Sequence, residues 1–233
     1  MSPAKRGAAK DEPVSKRGSR GRKAMVRAEE PRPASRATVE RSHNLPGANL
    51  SGADLSGIAL RGRNLRGADL QGADLTGATL LACDLRRVRL SGAKLSGARL
   101  VLCDLRGAEL DGAQLREASW TACALAEAQL QRTDLARGAF VAVSLAGAQL
   151  ERANLDDATF ILCSLAGASL AGARVEGARF LLSHLVAADF TRARLARARF
   201  ALTTLRGAIF ARATGKARAS FAAVWQGPGG RSA

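Results

Sequence analysis

Every fifth residue from Leu45 to Phe210 is large and apolar, without a slip across thirty-four successive positions. Twenty-six are Leu, six are Phe (Phe140, Phe160, Phe180, Phe190, Phe200 and Phe210), and the others are Trp120 and Val175. Two residues before each centre stands a small side chain, Ala at twenty-one sites and Cys at four, with nine exceptions such as Ile58, Val88 and Thr203. A period of five fits neither an α-helix, with about 3.6 residues per turn, nor the two-residue alternation of a long strand. Alternation holds only locally. The small residue and the centre share one side of a short extended segment, and a turn must follow before the next unit.

Gly fills sixteen of the thirty-three positions two after a centre, as corners of unusual backbone conformation would require. Four such corners close a square coil of twenty residues. Side chains give the same number independently: Cys83, Cys103, Cys123 and Cys163 differ by multiples of twenty, and Trp120, Phe140, Phe160, Phe180 and Phe200 form an aromatic column at that spacing. Units such as ADLQG and ADLTG resemble the pentapeptide-repeat family, whose consensus is A(D/N)LXX. The resemblance implies an all-β fold, a right-handed quadrilateral β-helix (solenoid), over residues 43–210. At about 4.8 Å between stacked strands the repeats would make a rod roughly 40 Å long. A solenoid needs covered ends. Phe221, Val224 and Trp225, at i, i+3 and i+4, predict a short capping helix near 216–225 within a C-terminal cap and tail over 211–233.

Residues 1–42 carry twelve Lys/Arg and five Asp/Glu and almost nothing large and apolar. Such a segment cannot bury enough surface to offset the entropy of ordering and reads as a disordered basic arm. With a formal net charge of +16, the chain is expected to attract polyanions. Lys5, Arg6, Lys16, Arg17, Arg20, Arg22 and Lys23 are the arm's candidate contacts to nucleic acid without sequence preference. No apolar run approaches the roughly 18 residues of a transmembrane helix. No stretch of signal-peptide type opens the chain, which makes a cytoplasmic location the default expectation.

Little in the repeat reads as chemistry. The four Cys occupy one inward column, where they are expected to be packing residues; neither disulfide geometry nor a usual zinc spacing fits them. Ser164 and His184 fall one coil apart, yet the repeat lacks the insertions on which scaffolds mount catalytic groups. No phosphate-cradling motif occurs. The reading is therefore no enzyme, with no catalytic residue, cofactor or metal.

Two surface features point instead to binding. Where the repeat elsewhere carries polar residues or Gly, apolar pairs recur every twenty residues: Leu81-Ala82, Val101-Leu102, Thr121-Ala122, Val141-Ala142, Ile161-Leu162, Leu181-Leu182 and Ala201-Leu202. These should form an exposed stripe, with Leu81, Val101, Leu102, Val141, Ile161, Leu162, Leu181, Leu182 and Leu202 as candidate protein contacts. A tail packed along the stripe, or a turn burying its second residue, are the alternatives. Arg174, Arg179, Arg194 and Arg199 form a second candidate polyanion surface. The expected function is a binding or scaffold protein, the stripe engaging a protein partner or a homodimer and the arm engaging nucleic acid. Resemblance supplies an alternative, protection of DNA gyrase by partial DNA mimicry. That would rest on an acidic face near Asp54, Asp69, Asp74, Asp84 and Asp104, against a repeat of twenty basic and fifteen acidic residues. Peripheral membrane association is a third reading.

Overall fold

The computed structural model of the protein describes residues 35–215 and 218–220. It is a four-sided parallel β-solenoid. One side is a nine-stranded sheet in sequential order: β1 (Ala59–Arg61), β2 (Thr79–Leu81), β3 (Arg99–Val101), β4 (Ser119–Thr121), β5 (Ala139–Val141), β6 (Thr159–Ile161), β7 (Arg179–Leu181), β8 (Arg199–Ala201) and β9 (Arg218–Ser220). The other three sides are ladders of single bridges, typified by Asn44↔Asn64, Asn49↔Asp69 and Asp54↔Asp74. Each coil takes twenty residues, so Leu60 lies on Leu80 and Trp120 on Phe140.

The pentapeptide is legible as a corner device. On three of the four sides, the N–H three residues after a centre donates to the centre's carbonyl, as from Ala53 to Leu50 at 3.1 Å. The Asp or Asn before the centre braces the same turn, because its Oδ1 accepts the N–H two residues on: Asp69 from Gln71 at 3.1 Å, Asp74 from Thr76 at 3.0 Å. A short side chain that bonds its own backbone in this way favours a turn over continued strand. Every corner residue from 47 to 207 has positive φ, sixteen of them Gly and seventeen not.

The fourth corner, after each strand of the sheet, is built differently. Among the described residues no N–H at 83, 103, 123 or 163 returns to the centre three before it. Thiols of the inward column reach centres one coil back instead, Cys103 Sγ to Leu80 O, Cys123 Sγ to Leu100 O and Cys163 Sγ to Phe140 O, all at 3.4 Å, whereas Ser183 Oγ accepts the Cys163 N–H at 3.1 Å and donates to Leu181 O at 2.9 Å. The cysteines are free and buried, as packing residues should be, and their weak thiol donors add a polar role that spacing alone does not reveal. Burial pushes the Cys163 thiol pKa up, which keeps it a donor.

Centres and small residues merge into one continuous core. Phe140, Phe160, Phe180 and Phe200 stack with centroids 4.6–5.0 Å apart and planes within 8°. Gly138, an exception to the Ala/Cys pattern, makes room for this column: a Cβ there would stand 3.0 Å from the Phe140 ring.

Both ends depart from the sequence reading. The arm expected to run to residue 42 yields instead a helix, α1 (Arg36–Arg41), whose Ser35 hydroxyl caps the Thr38 N–H. Val39 is fully buried at the mouth of the first coil. Arg63 occupies an inward position and donates through Nη2 to the Glu40 carbonyl at 2.9 Å, its Nε and Nη1 staying buried without a hydrogen-bond partner among the described residues, while Arg36 donates to the Ser56 carbonyl at 2.7 Å. One apolar residue and two arginines anchor the cap, too little for a compositional signal of order. At the other end, β9 falls within the stretch expected to be helical, and its pairing of Arg218 with Arg199 shortens the last coil to nineteen residues. Gly215 permits this tight corner, where a Cβ would come within 2.5 Å of the Ala196 nitrogen. Phe221, Val224 and Trp225 lie outside the described residues.

Candidate binding surfaces

The stripe sits at the fourth corner. Strand geometry turns the first residue of each pair along the sheet and leaves the second at the apex with φ between 50° and 56°. Leu81, Val101, Ile161 and Leu181 are therefore half-buried, whereas Leu102, Leu162, Leu182 and Leu202 are 60%, 57%, 43% and 51% exposed, and Val141 is 36% exposed. A turn burying the second residue is thus excluded. Left-handed backbone costs a residue with a Cβ about 1–2 kcal/mol, and Gly62 shows the relaxed choice in this same column. Four leucines held there are both strained and solvated.

The arginine cluster is divided. Arg174 and Arg194 are neighbours on one ladder, Arg179 and Arg199 on the adjoining sheet. Arg174 pairs with Asp156 and Arg194 with Glu176 at 2.7 Å. Arg179 and Arg199 are exposed and form no ion pair among the described residues. Lys5, Arg6, Lys16, Arg17, Arg20, Arg22 and Lys23 lie outside the described residues.

Near the first coils the carboxylates are matched by cations: Asp69 with Arg89 at 2.9 Å, Asp74 with Lys94 at 3.7 Å, Asp84 with Arg86 at 2.5 Å and Asp104 with Arg106 at 2.6 Å. Hydrogen bonding from Arg86 and Arg106 holds the Asp84 and Asp104 carboxyls below the usual range. Asp54 is likewise lowered, by the Ser56 hydroxyl and N–H. An acidic, DNA-like face is largely cancelled by these partners.

Sequence reasoning missed a cleft of about 850 Å³ along the corner diagonally opposite the leucines. Arg132, Arg152, Arg192 and Arg212 line it together with Gly112 and Gly172. The four arginines are a corner column in the sequence, at spacings of twenty and forty. The signal was present but was hidden among Arg at other corners. Ser164 and His184 are adjacent on an outward ladder, with no hydrogen bond between them among the described residues. No group of His, Cys, Asp and Glu able to hold a metal occurs among the described residues, and none of their helices is long and apolar enough to cross a membrane.

A coil of four five-residue sides, braced by Asx turns and filled by stacked Leu and Phe, defines a class of solenoid scaffold. The chain belongs to the family of pentapeptide repeats, whose profile matches in eight copies over residues 44–80, 83–119, 103–145, 121–160, 144–180 and 183–214. No curated protein matches it. Among solved structures, it is similar to HetL, a pentapeptide repeat protein involved in heterocyst differentiation regulation from the cyanobacterium Nostoc sp. strain PCC 7120. The identity is 29% over 75% of this chain and 86% of that one, with a TM-score of 0.42. Trypsin-treated QnrB1, a plasmid-mediated fluoroquinolone resistance protein, is 17% identical over 70% of this chain and 90% of that one, again with a TM-score of 0.42. A pentapeptide repeat protein from the Arabidopsis thaliana thylakoid lumen is 31% identical over 46% and 68% of the two chains, with a TM-score of 0.21.

Proposed function

We propose that the chain is a non-enzymatic binding scaffold that pairs with a second copy of itself through the leucine corner and attracts nucleic acid through its basic N-terminal segment. The observation that carries the first half is the set of strained, exposed leucines at positions 102, 162, 182 and 202. An apolar ridge on a polar solenoid favours an interface, and conformational strain retained at one corner favours a role beyond folding.

The order of side chains favours self-pairing. Along the apex run Leu102, Ala122, Ala142, Leu162, Leu182 and Leu202. If two copies meet antiparallel about a two-fold axis between 142 and 162, Ala142 faces Leu162, Ala122 faces Leu182 and Leu102 faces Leu202. Large opposes small at four of the six levels. Such a surface is self-complementary, as an isologous contact requires. The segment before residue 43, with twelve Lys/Arg, supplies a salt-dependent, sequence-independent attraction to phosphates.

The test is mass. Sedimentation of the full chain is expected to give a reversible dimer, and Leu162→Asn with Leu182→Asn a monomer. Asn tolerates the left-handed conformation, so the double variant is expected to melt no lower than the parent. Unchanged mass in that variant would refute the leucine interface.

A further inference from the structure

We infer that the arginine corner is a binding groove for a single strand of nucleic acid, gripped through its phosphodiester backbone. The inference rests on the nucleic-acid half of the proposed function and assigns it a rigid site on the solenoid, separate from the N-terminal segment.

Two observations carry it. The first is charge left unmatched. Arg86, Arg89, Arg106, Arg137, Arg174 and Arg194 each contact a carboxylate. Arg132, Arg152, Arg192 and Arg212, all exposed, have neither an ion pair nor a side-chain hydrogen bond among the described residues. Two carboxylates also line the cleft, Asp111 and Glu151. Asp111 already accepts the Gln131 N–H at 3.0 Å, and neither lies at the Arg192–Arg212 end, where Thr191 and Ala211 take the corresponding places. The positive charge is therefore strongest toward the last coils.

The second observation is shape. From Arg132 to Arg212 is four coils, about 19 Å at the usual strand spacing, with the cations in single file along a cleft. A positively charged groove that tracks one backbone is the arrangement single strands use. A duplex presents two backbones across a wide cylinder and could meet only part of such a file.

The groove is also compatible with pairing. It lies ten residues round the coil from the leucine corner, so antiparallel association leaves both grooves open.

The experiment exploits the backbone. All four arginines have φ between 56° and 59°, and the same corner carries Gly112 and Gly172, so Arg132→Gly, Arg152→Gly, Arg192→Gly and Arg212→Gly together should preserve the fold. Circular dichroism melting, expected to be unchanged or raised, checks this. Anisotropy titrations of a labelled twenty-nucleotide single strand and of the matching duplex are run with the full chain and the fourfold variant at several salt concentrations. The expected result is at least tenfold weaker single-strand binding in the variant. Its salt slope should fall by about 3, four contacts at about 0.7 each, while duplex affinity changes less than twofold. Unchanged single-strand affinity, or an equal loss for both probes, overturns the groove while leaving attraction through the N-terminal segment standing. Failure of the parent chain to bind either probe overturns both.

Discussion

The two halves of the solenoid follow one repeat but solve it differently. From residue 47 to 117, eleven of fifteen corners are Gly, the centres are all Leu, and surface carboxylates are paired with cations. From 122 to 207 only five of eighteen corners are Gly. The others carry Leu, Ala, Arg, Glu or Asp in left-handed conformation, and aromatic rings run up the core. The first half is the relaxed version of the fold. The second holds strained side chains at its corners, and its stacked rings, each pair worth about 0.5–1.5 kcal/mol beyond area burial, offset part of that cost. Both candidate binding surfaces are concentrated in the strained half, as expected if corners there serve binding more than stability.

The largest expected effect tests the core that supports those corners. Phe160→Asp places a carboxylate among stacked rings with no water or partner and should lose more than about 4 kcal/mol, unfolding several coils of the second half first. Phe160→Leu should lose far less. Equal melting of the two variants would contradict the inward assignment and the role given to the aromatic column.

Removing residues 1–42 should destabilise the first half, because Val39 then no longer covers the core. Its burial alone is worth about 1.5–3 kcal/mol. Removing 1–34 should leave thermal melting unchanged. Identical melting of both truncations would make α1 dispensable.

Exchanging corner residues between halves is a smaller and more direct test. Arg197→Gly should raise stability by about 1 kcal/mol and Gly97→Arg should lower it by a similar amount, because only the non-Gly residue is strained at φ near 61° or 66°. Chemical denaturation measures both, and effects of one sign for both changes would remove the distinction between relaxed and strained corners.

The smallest effect is in pH. Hydrogen bonds from Arg86 and Arg106 hold the folded pKa values of Asp84 and Asp104 below the usual carboxylate range. Their contribution is present above the unfolded pKa and is lost as pH falls through the lowered folded pKa, so the first half should weaken in the window below about pH 4. The partners are partly exposed and the loss should be small. Asp84→Asn with Asp104→Asn should flatten this part of the stability profile, and an unaltered profile would show that these pairs contribute nothing.

How much of this was legible depends on the range over which each feature is decided. Leu45 to Phe210 could be placed inward and the coil length counted, since a five-residue unit repeats its local turn chemistry at every corner. The leucine corner was legible because Leu102, Leu162, Leu182 and Leu202 stand at multiples of twenty residues in an apolar column, where the other corner columns mostly carry Gly or charged residues. The split of Arg174 and Arg194 from Arg179 and Arg199 was harder to see, since the four lie close in sequence yet on two sides of the coil. Arg63 read only as an exception until the helix it holds was in place.

What the sequence determined by itself, then, was the repeat: its four-sided coil, its inward columns and its apolar stripe, each fixed by periodic short-range patterning. Only the tertiary structure decided the cap made by Val39 and Arg63, the nineteen-residue last coil at Gly215 and the thiol bonds of the fourth corner. The same holds for the choice of arginines left without carboxylates. These depend on groups brought within a few ångströms by stacking coils about twenty residues apart, and on side-chain reach that no fivefold pattern encodes.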